Sequence, residues 1–243
     1  MKSICRLVIE KQISARCYYG RFFIGPLAKG QGLIHGTTLR RLLLNLEGPS
    51  IRAVSIRNLK HEFDTLRGLH ESASEVLAQF EQIVISDQGE YNALTGYNDN
   101  FSKQSQIIHL HSDGPKVLTS KDLNLMPPFS VVDPNQYIAT LGLSTNLEMI
   151  ILVENSYRIT TVTPFPIPTF ILKKGNHVVT NVNINVLSLS NDSEECLMLE
   201  IWTNGAISPS RALRLSSSMA CSFYSQFLEV QGKISGGRIR TSE

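Results

Sequence analysis

The chain opens in alternation. Ile4, Arg6, Val8 and Glu10 fall on one side and Cys5, Leu7 and Ile9 on the other, which predicts a strand over residues 3–10. The aromatic, β-prone run from Ala15 to Gly25 predicts a second strand. Gly25, Gly30 and Gly32 then mark a turn-rich link. Helical spacing takes over at Thr37–Glu47. There Leu39, Leu42, Leu43 and Leu46 stand at i, i+3, i+4 and i+7, one apolar stripe stopped by Gly48-Pro49. Arg41, Leu44 and Asn45 share a second, mixed face, and Arg40 also lies off the stripe. Such a helix has two neighbours to satisfy.

The middle of the chain is strand-rich. Ile51–Arg57 alternates. Ser72–Ile83 reads as a helix, with Val76, Leu77, Phe80 and Ile83 on one face and Ser72-x-x-Glu75 as a capping box. The polar stretch from Ser86 to Ser105 predicts a long loop or irregular hairpin. Short β-like runs follow at 106–111, 130–132, 137–143 and 147–154, punctuated by Pro127-Pro128 and Asp133-Pro134-Asn135. Pro164, Pro166 and Pro168 predict an extended connector.

Two more strands are expected at Val178–Leu189 and Cys196–Trp202, joined by a turn at 191–194. Ser208-Pro209 then opens a long helix reaching about Val230. Leu213, Ser216, Ala220, Phe223, Phe227 and Val230 step by threes and fours, and Ala212, Leu215 and Met219 form a second stripe. One stripe can meet a sheet, and the other needs a different partner. The glycine-containing tail, 231–243, is expected to be disordered.

Composition narrows the field. The chain has 243 residues, 42% hydrophobic and 18% charged, with net charge +2, which supports a real core and excludes wholesale disorder. The near-neutral balance argues against a broad nucleic-acid or membrane footprint. No apolar run approaches the roughly 18–20 residues that span a bilayer. The N-terminal residues fit neither a signal nor a transit peptide, so the chain is expected to work where it is made. Cys5, Cys17, Cys196 and Cys221 have no metal or redox spacing and read as small apolar residues in a reducing compartment.

Candidate chemistry is sparse. His109-x-His111 puts two rings on one strand face but lacks a third ligand. Gly30-x-Gly32 lacks the lysine and hydroxyl of a phosphate loop, and no Gly-x-Ser-x-Gly occurs. His61-Glu62 is a conceivable catalytic pair that reads better as an exposed turn. Asn100-x-Ser102 and Asn191-x-Ser193 match a glycosylation pattern that means nothing without secretion. Arg40, Arg41, Arg52, Arg57 and Lys60 are basic neighbours, but a nucleic-acid surface wants a broader excess with stacking aromatics. Arginine beside leucine on an exposed helix suits a protein interface. The residues favour a non-catalytic assembly protein, the alternative being a stand-alone basic DNA-binding or regulatory protein.

Several blocks carry a family likeness. They are Tyr18-Tyr19-Gly20-Arg21-Phe22, Pro26-Leu27-x-Lys29-Gly30-Gln31, Gly36-x-x-Leu39-Arg40-Arg41-x-Leu43-Leu44 and Glu47-Gly48. His61-Glu62-Phe63-x-Thr65, Val132-Asp133, Pro166-Ile167 and Leu199-Glu200-Ile201-Trp202-Thr203-Asn204-Gly205 follow, with Pro209 and Ala212-Leu213. The chain resembles the alpha subunit of DNA-directed RNA polymerase over about residues 3–230, in its plastid-encoded form more than its bacterial one.

The resemblance implies an α+β fold. Residues 1–48 and 173–230 would form a discontinuous dimerisation domain, an antiparallel sheet carrying two helices. Residues 49–172 would form an inserted, mostly β domain. Leu39, Leu42, Leu43, Leu46, Ala220, Phe223 and Phe227 would make the homodimer seam. Arg41 and Leu44, with Arg40 beside them, would face beta. Two copies would form the platform for beta and beta-prime, with DNA met only through the complex and no membrane contact. No cofactor is implied in this chain, because the magnesium and zinc of such an enzyme would sit in its large subunits. The setting implied is the chloroplast stroma. This sequence departs from the family in two ways. Gln31 stands where many bacterial relatives have an aromatic residue, removing apolar burial worth roughly 1.5–3 kcal/mol. The chain also stops soon after the last helix, where full-length relatives continue into a DNA- and activator-binding domain.

Overall fold

The computed structural model describes residues 4–66, 68–87, 105–155, 168–172, 176–189 and 193–234. In chain order these form β1 (Ile4–Ser14), β2 (Cys17–Ala28), α1 (Gln31–Leu44), β3 (Pro49–Ile56), α2 (Ala73–Gln82), β4 (Ile85–Asp87), β5 (Ser105–Asp113) and β6 (Lys116–Thr119). After a 3-10 turn at Ser120–Leu123 come β7 (Phe129–Val131), β8 (Tyr137–Leu141), β9 (Asn146–Asn155), β10 (Phe170–Ile171), β11 (Val179–Ser188), β12 (Glu194–Thr203) and α3 (Pro209–Ile234). The molecule is α+β, and its sheet pairings are antiparallel.

One four-stranded sheet has the order β1-β2-β12-β11, so strands from the two ends of the chain lie side by side. Alternation along β12 turns Leu197, Leu199 and Ile201 inward. Leu199 and Ile201 pack with Phe22, Val179 and Val182, with Leu43 and Leu46, and with Ala212, Leu213 and Leu215 of α3. The second four-stranded sheet, β10-β3-β9-β5, packs on α2 through Val54, Ile56, Ile108, Leu110, Met149, Ile151, Val76 and Phe80. The two cores are separate clusters.

The capping box on α2 forms as its spacing predicts. Ser72 Oγ accepts from Glu75 N at 3.3 Å, and Ser72 N donates to Glu75 Oε2 at 2.8 Å. At α3, Ser208 Oγ accepts from Arg211 N at 3.3 Å. Glu10 of β1 adds its own carboxylate there, taking Ser210 N at 3.1 Å and Ser210 Oγ at 2.7 Å. A carboxylate at a helix N-terminus offsets the helix dipole.

Three expectations change. α1 begins at Gln31, six residues before Thr37, and β2 runs on to Ala28, so little of the turn-rich link remains. The reason is that α1 lies on the sheet through Gly32 and Gly36. A Cβ on Gly36 would come within 3.0 Å of Leu197 and 3.4 Å of Ile184. Small residues on the buried face leave no hydrophobic period to read. The short strands β4, β6 and β10 carried no readable pattern. α3 continues through Gln231 to Ile234, into the stretch expected to be disordered, because an established helix extends at one hydrogen bond per residue fixed. Residues 88–104 of the polar loop, Asn100 and Ser102, Pro164 and Pro166, residues 190–192 of the hairpin turn and the tail from 235 lie outside the described residues.

The bond between β2 and β12 is reinforced on the outer face of their sheet. Tyr19 faces Trp202 and Arg21 faces Glu200 in the register. The Tyr19 and Trp202 rings are 5.0 Å apart and tilted by 48°. Tyr19 donates its hydroxyl to Glu200 Oε1 at 2.5 Å, and Arg21 Nη2 reaches the same oxygen at 2.9 Å. The Tyr19 hydroxyl, and then the Arg21 guanidinium, hold the Glu200 carboxyl below the usual carboxylate range. Burial, and then the Glu200 bond, push the Tyr19 phenol up.

Glu200 therefore contributes stability above its unfolded pKa of about 4.3 and loses that contribution as pH falls through the lower folded value. Tyr19→Phe should cost about 1–2 kcal/mol at neutral pH. The gap to wild type should close in denaturant titrations below about pH 4. A gap constant down to pH 3 would refute the assignment. Gly20 touches the start of α3, and a Cβ there would lie 2.5 Å from Pro209 Cβ. Gly20→Ala should therefore destabilise by about 1–3 kcal/mol in the same assay.

Candidate interaction faces

α1 and α3 touch each other and cover the same face of the first sheet. α3 has 26 residues, and its beginning and end live in different surroundings. Ala212, Leu213, Leu215 and Ser216 are buried on the sheet. One to three turns later, Phe223 and Phe227 are 56% and 57% exposed, with Met219 and Tyr224 also exposed and Ala220 half-buried. Among the described residues the aromatic rings pack against one another. Phe223 meets Phe227 edge-on at 5.2 Å and 84°, and Tyr224 at 5.6 Å and 72°. Side chains are described through Phe227, and Val230 lies beyond them.

The α1 leucines divide. Leu43 and Leu46 are both 0% exposed and belong to the chain's own core. Leu46 also falls beyond the helix, whose C-cap is Asn45. Neither has surface left for a second copy, which corrects their assignment to a seam. Leu39 and Leu42 are half-buried and retain some surface. In their place, the added N-terminal turns of α1 expose Leu33 and Ile34, at 58% and 63%. Sequence reasoning missed both. Both lie between the turn-rich link expected to end at Gly32 and the helix expected from Thr37, where Gly32 and Gly36 interrupt the helical period. Gln31 is exposed at the helix start.

Arg41 and Leu44 sit one step apart at the C-terminal end of α1, Arg41 exposed and Leu44 half-buried against the core. A cation in that last turn suits the helix dipole. Arg40 is exposed beside them. Two of the other basic neighbours are engaged. Arg52 pairs with Glu47 at 3.7 Å and Arg57 with Glu148 at 2.6 Å, which reduces the positive surface a DNA-binding reading would need.

The enzymatic and metal candidates come together poorly. His61 and Glu62 stand exposed in a turn where the His61 carbonyl accepts from Asp64 N at 3.0 Å. His109 and His111 share the exposed face of β5. His111 lies 3.6 Å from Asp113 and 3.9 Å from Glu148. Among the described residues no group of three His, Cys, Asp or Glu is placed to hold a metal. The four cysteines are free thiols, and burial pushes the Cys5 thiol up. No described helix is long and apolar enough to cross a membrane.

Comparison with known proteins places the chain as a whole. Residues 54–159 match the family model described as the RNA polymerase Rpb3/RpoA insert domain. The chain is 33% identical over 240 residues to the "DNA-directed RNA polymerase subunit alpha" of Chlorokybus atmophyticus, covering 92% of this chain and 69% of that one. It is 31% identical to the protein of the same name in Zygnema circumcarinatum, covering 93% of this chain and 62% of that one. The corresponding figures for the Phaseolus angularis protein are 32%, 92% and 65%. The chain thus spans about two thirds of the length of these relatives. The Tyr18–Phe22 and Leu199–Gly205 blocks, some 180 residues apart in sequence, meet as neighbouring strands bonded through Tyr19 and Glu200. Joined to an identity of one third over nine-tenths of the chain, that pairing leads to a single assignment: the chain belongs to the alpha-subunit family of DNA-directed RNA polymerases.

Proposed function

We propose that this chain is a non-catalytic assembly subunit of a plastid DNA-directed RNA polymerase. Two copies pair through α1 and α3 and form the platform on which beta and beta-prime assemble. The observation that carries the pairing is the exposed aromatic end of α3 together with the exposed Leu33 and Ile34 of α1. Aromatic and aliphatic surface on two touching helices is costly in water, and burying it against a twofold-related copy forms a four-helix contact. The seam uses Leu39, Leu42, Ala220, Phe223 and Phe227 with Leu33 and Ile34, and it leaves Leu43 and Leu46 inside each protomer. Residues 1–48 and 173–230 act as the dimerisation unit, and 49–172 as the insert.

Arg41, Leu44 and Arg40 offer the contact for beta. An arginine rising from a partly apolar helix end is a common hot-spot composition at protein interfaces. Catalysis belongs to the large subunits, which hold the metals. The chain meets DNA only through the complex. The plant and algal relatives support the plastid setting.

Light scattering of the purified chain should give about 54 kDa, twice the 27.1 kDa of one chain. Replacing Phe223 and Phe227 together by Glu should return the mass to that of a monomer without unfolding it. A dimer that survives this double change would place the seam elsewhere. Arg41→Ala should weaken capture of beta about tenfold or more with the dimer mass unchanged. Undiminished capture would remove Arg41 from the contact.

A further inference from the structure

The chain passes between its two cores twice, at Gly48-Pro49 and between Leu172 and Asn176. The two crossings are tied to each other: Gly48 N donates to Asn176 O at 2.8 Å and Asn176 Nδ2 to Pro49 O at 3.0 Å. A paired crossing of this kind holds the units together but leaves rotation of one against the other as the soft motion. Something away from the crossings has to set their angle.

We propose that Arg16 and Arg211 are positioning residues, two clasps that fix the insert unit against the sheet-and-helix unit. Arg211 projects from the first turn of α3. Its Nη1 donates to the Asp87 carbonyl, and its Nη2 lies 3.4 Å from Asp87 Oδ2, at the end of β4. Arg16 projects from the turn between β1 and β2. Its Nε lies 3.5 Å from Asp133 Oδ2, and its Nη2 donates to Gln136 Oε1. Gln136 Nε2 in turn reaches the Gln79 carbonyl on α2 at 3.5 Å. None of these residues lies on a crossing, and each clasp joins one unit to the other.

The packing between the clasps supports the same reading. Gly205 has φ +93°, and a Cβ there would strike the Ala15 carbonyl and come within 2.7 Å of Val132 Cγ1. Val84, just before β4, packs against the first sheet's core. The rest of the junction is open: a polar cavity of about 400 Å³ lies there, lined in part by Tyr18, Ser86, Ser130, Ser208 and Arg211. Among the described residues the units therefore meet through a few side chains rather than a continuous apolar seam, an arrangement that permits domain motion when the contacts fail. Among the described residues Arg16 Nε, though 3.5 Å from Asp133 Oδ2, and Arg211 Nε are buried without a hydrogen bond. Each guanidinium thus keeps its Nε inside the junction without a hydrogen bond. It is held there by acceptors in the opposite unit. Losing those acceptors leaves a half-buried cation without its partner at the junction.

The two clasps differ in exposure. Arg16 and Asp133 side chains are 37% and 34% exposed, Arg211 and Asp87 25% and 9%. Salt should loosen the Arg16 clasp first.

The test is hydrogen–deuterium exchange on the whole chain carrying Arg16→Met and Arg211→Met, which keep the side-chain bulk. Amides at 84–87 and 130–136 should exchange about tenfold faster or more, with protection in β9 and β12 and the solution mass unchanged. In the wild type, raised salt should reproduce the effect at 130–136 before 84–87. Wild-type exchange at both segments in the double variant would overturn the clasps. Protection lost evenly across both sheets would also overturn them, as a mere loss of stability. If the double variant does not fold, Asp87→Asn with Asp133→Asn takes its place under the same readout.

Discussion

The pairing of β2 with β12 closes a stretch of about 165 residues between Ala28 and Glu194. Closing so long a loop costs roughly 2–3 kcal/mol more than closing a ten-residue hairpin, and the closure must be held by contacts made at the seam itself. The Tyr19–Glu200–Arg21 network and the Tyr19–Trp202 contact are concentrated there. Much else is conditional on that seam. It supplies the two middle strands of the first sheet, and α1 and α3 lie on that sheet. It also obliges the insert to leave and re-enter at neighbouring points, which Gly48 and Asn176 achieve by bonding to each other.

α3 shows how length becomes function on such a scaffold. At 1.5 Å per residue, 26 residues extend about 39 Å. The sheet buries the first turns, and the same two stripes that pack there continue past the region it covers. No change in the helical pattern marks the boundary. What changes is the body on the other side, from the chain's own sheet to whatever meets Phe223 and Phe227.

That boundary also sets how much was legible in the sequence. The strong alternation of β12, the capping box of α2 and the Ser208-Pro209 start of α3 are local, and each forms where its pattern predicts. The start of α1 was hidden because Gly32 and Gly36 face the sheet and carry no hydrophobic signal. A leucine stripe announces burial but not by what, so Leu43 and Leu46 look the same as Leu39 and Leu42 until the fold closes over them. The clasps at Arg16 and Arg211 are less visible still, since each pairs with a residue more than a hundred positions away.

The same seam has a consequence in time. A ribosome adding 5–20 residues per second needs roughly 8–33 s to travel from the end of β2 to the start of β12. During that interval the insert has all its strands and its helix, and can settle alone. The β1–β2 hairpin has no third strand to join and no α3 to cover it. Phe22 waits uncovered beside an open backbone edge, the kind of surface that recruits a neighbouring nascent chain as readily as its own last strand. Synthesis speed, and whatever shields that hairpin in the meantime, therefore belong to the folding of this protein as much as its core does.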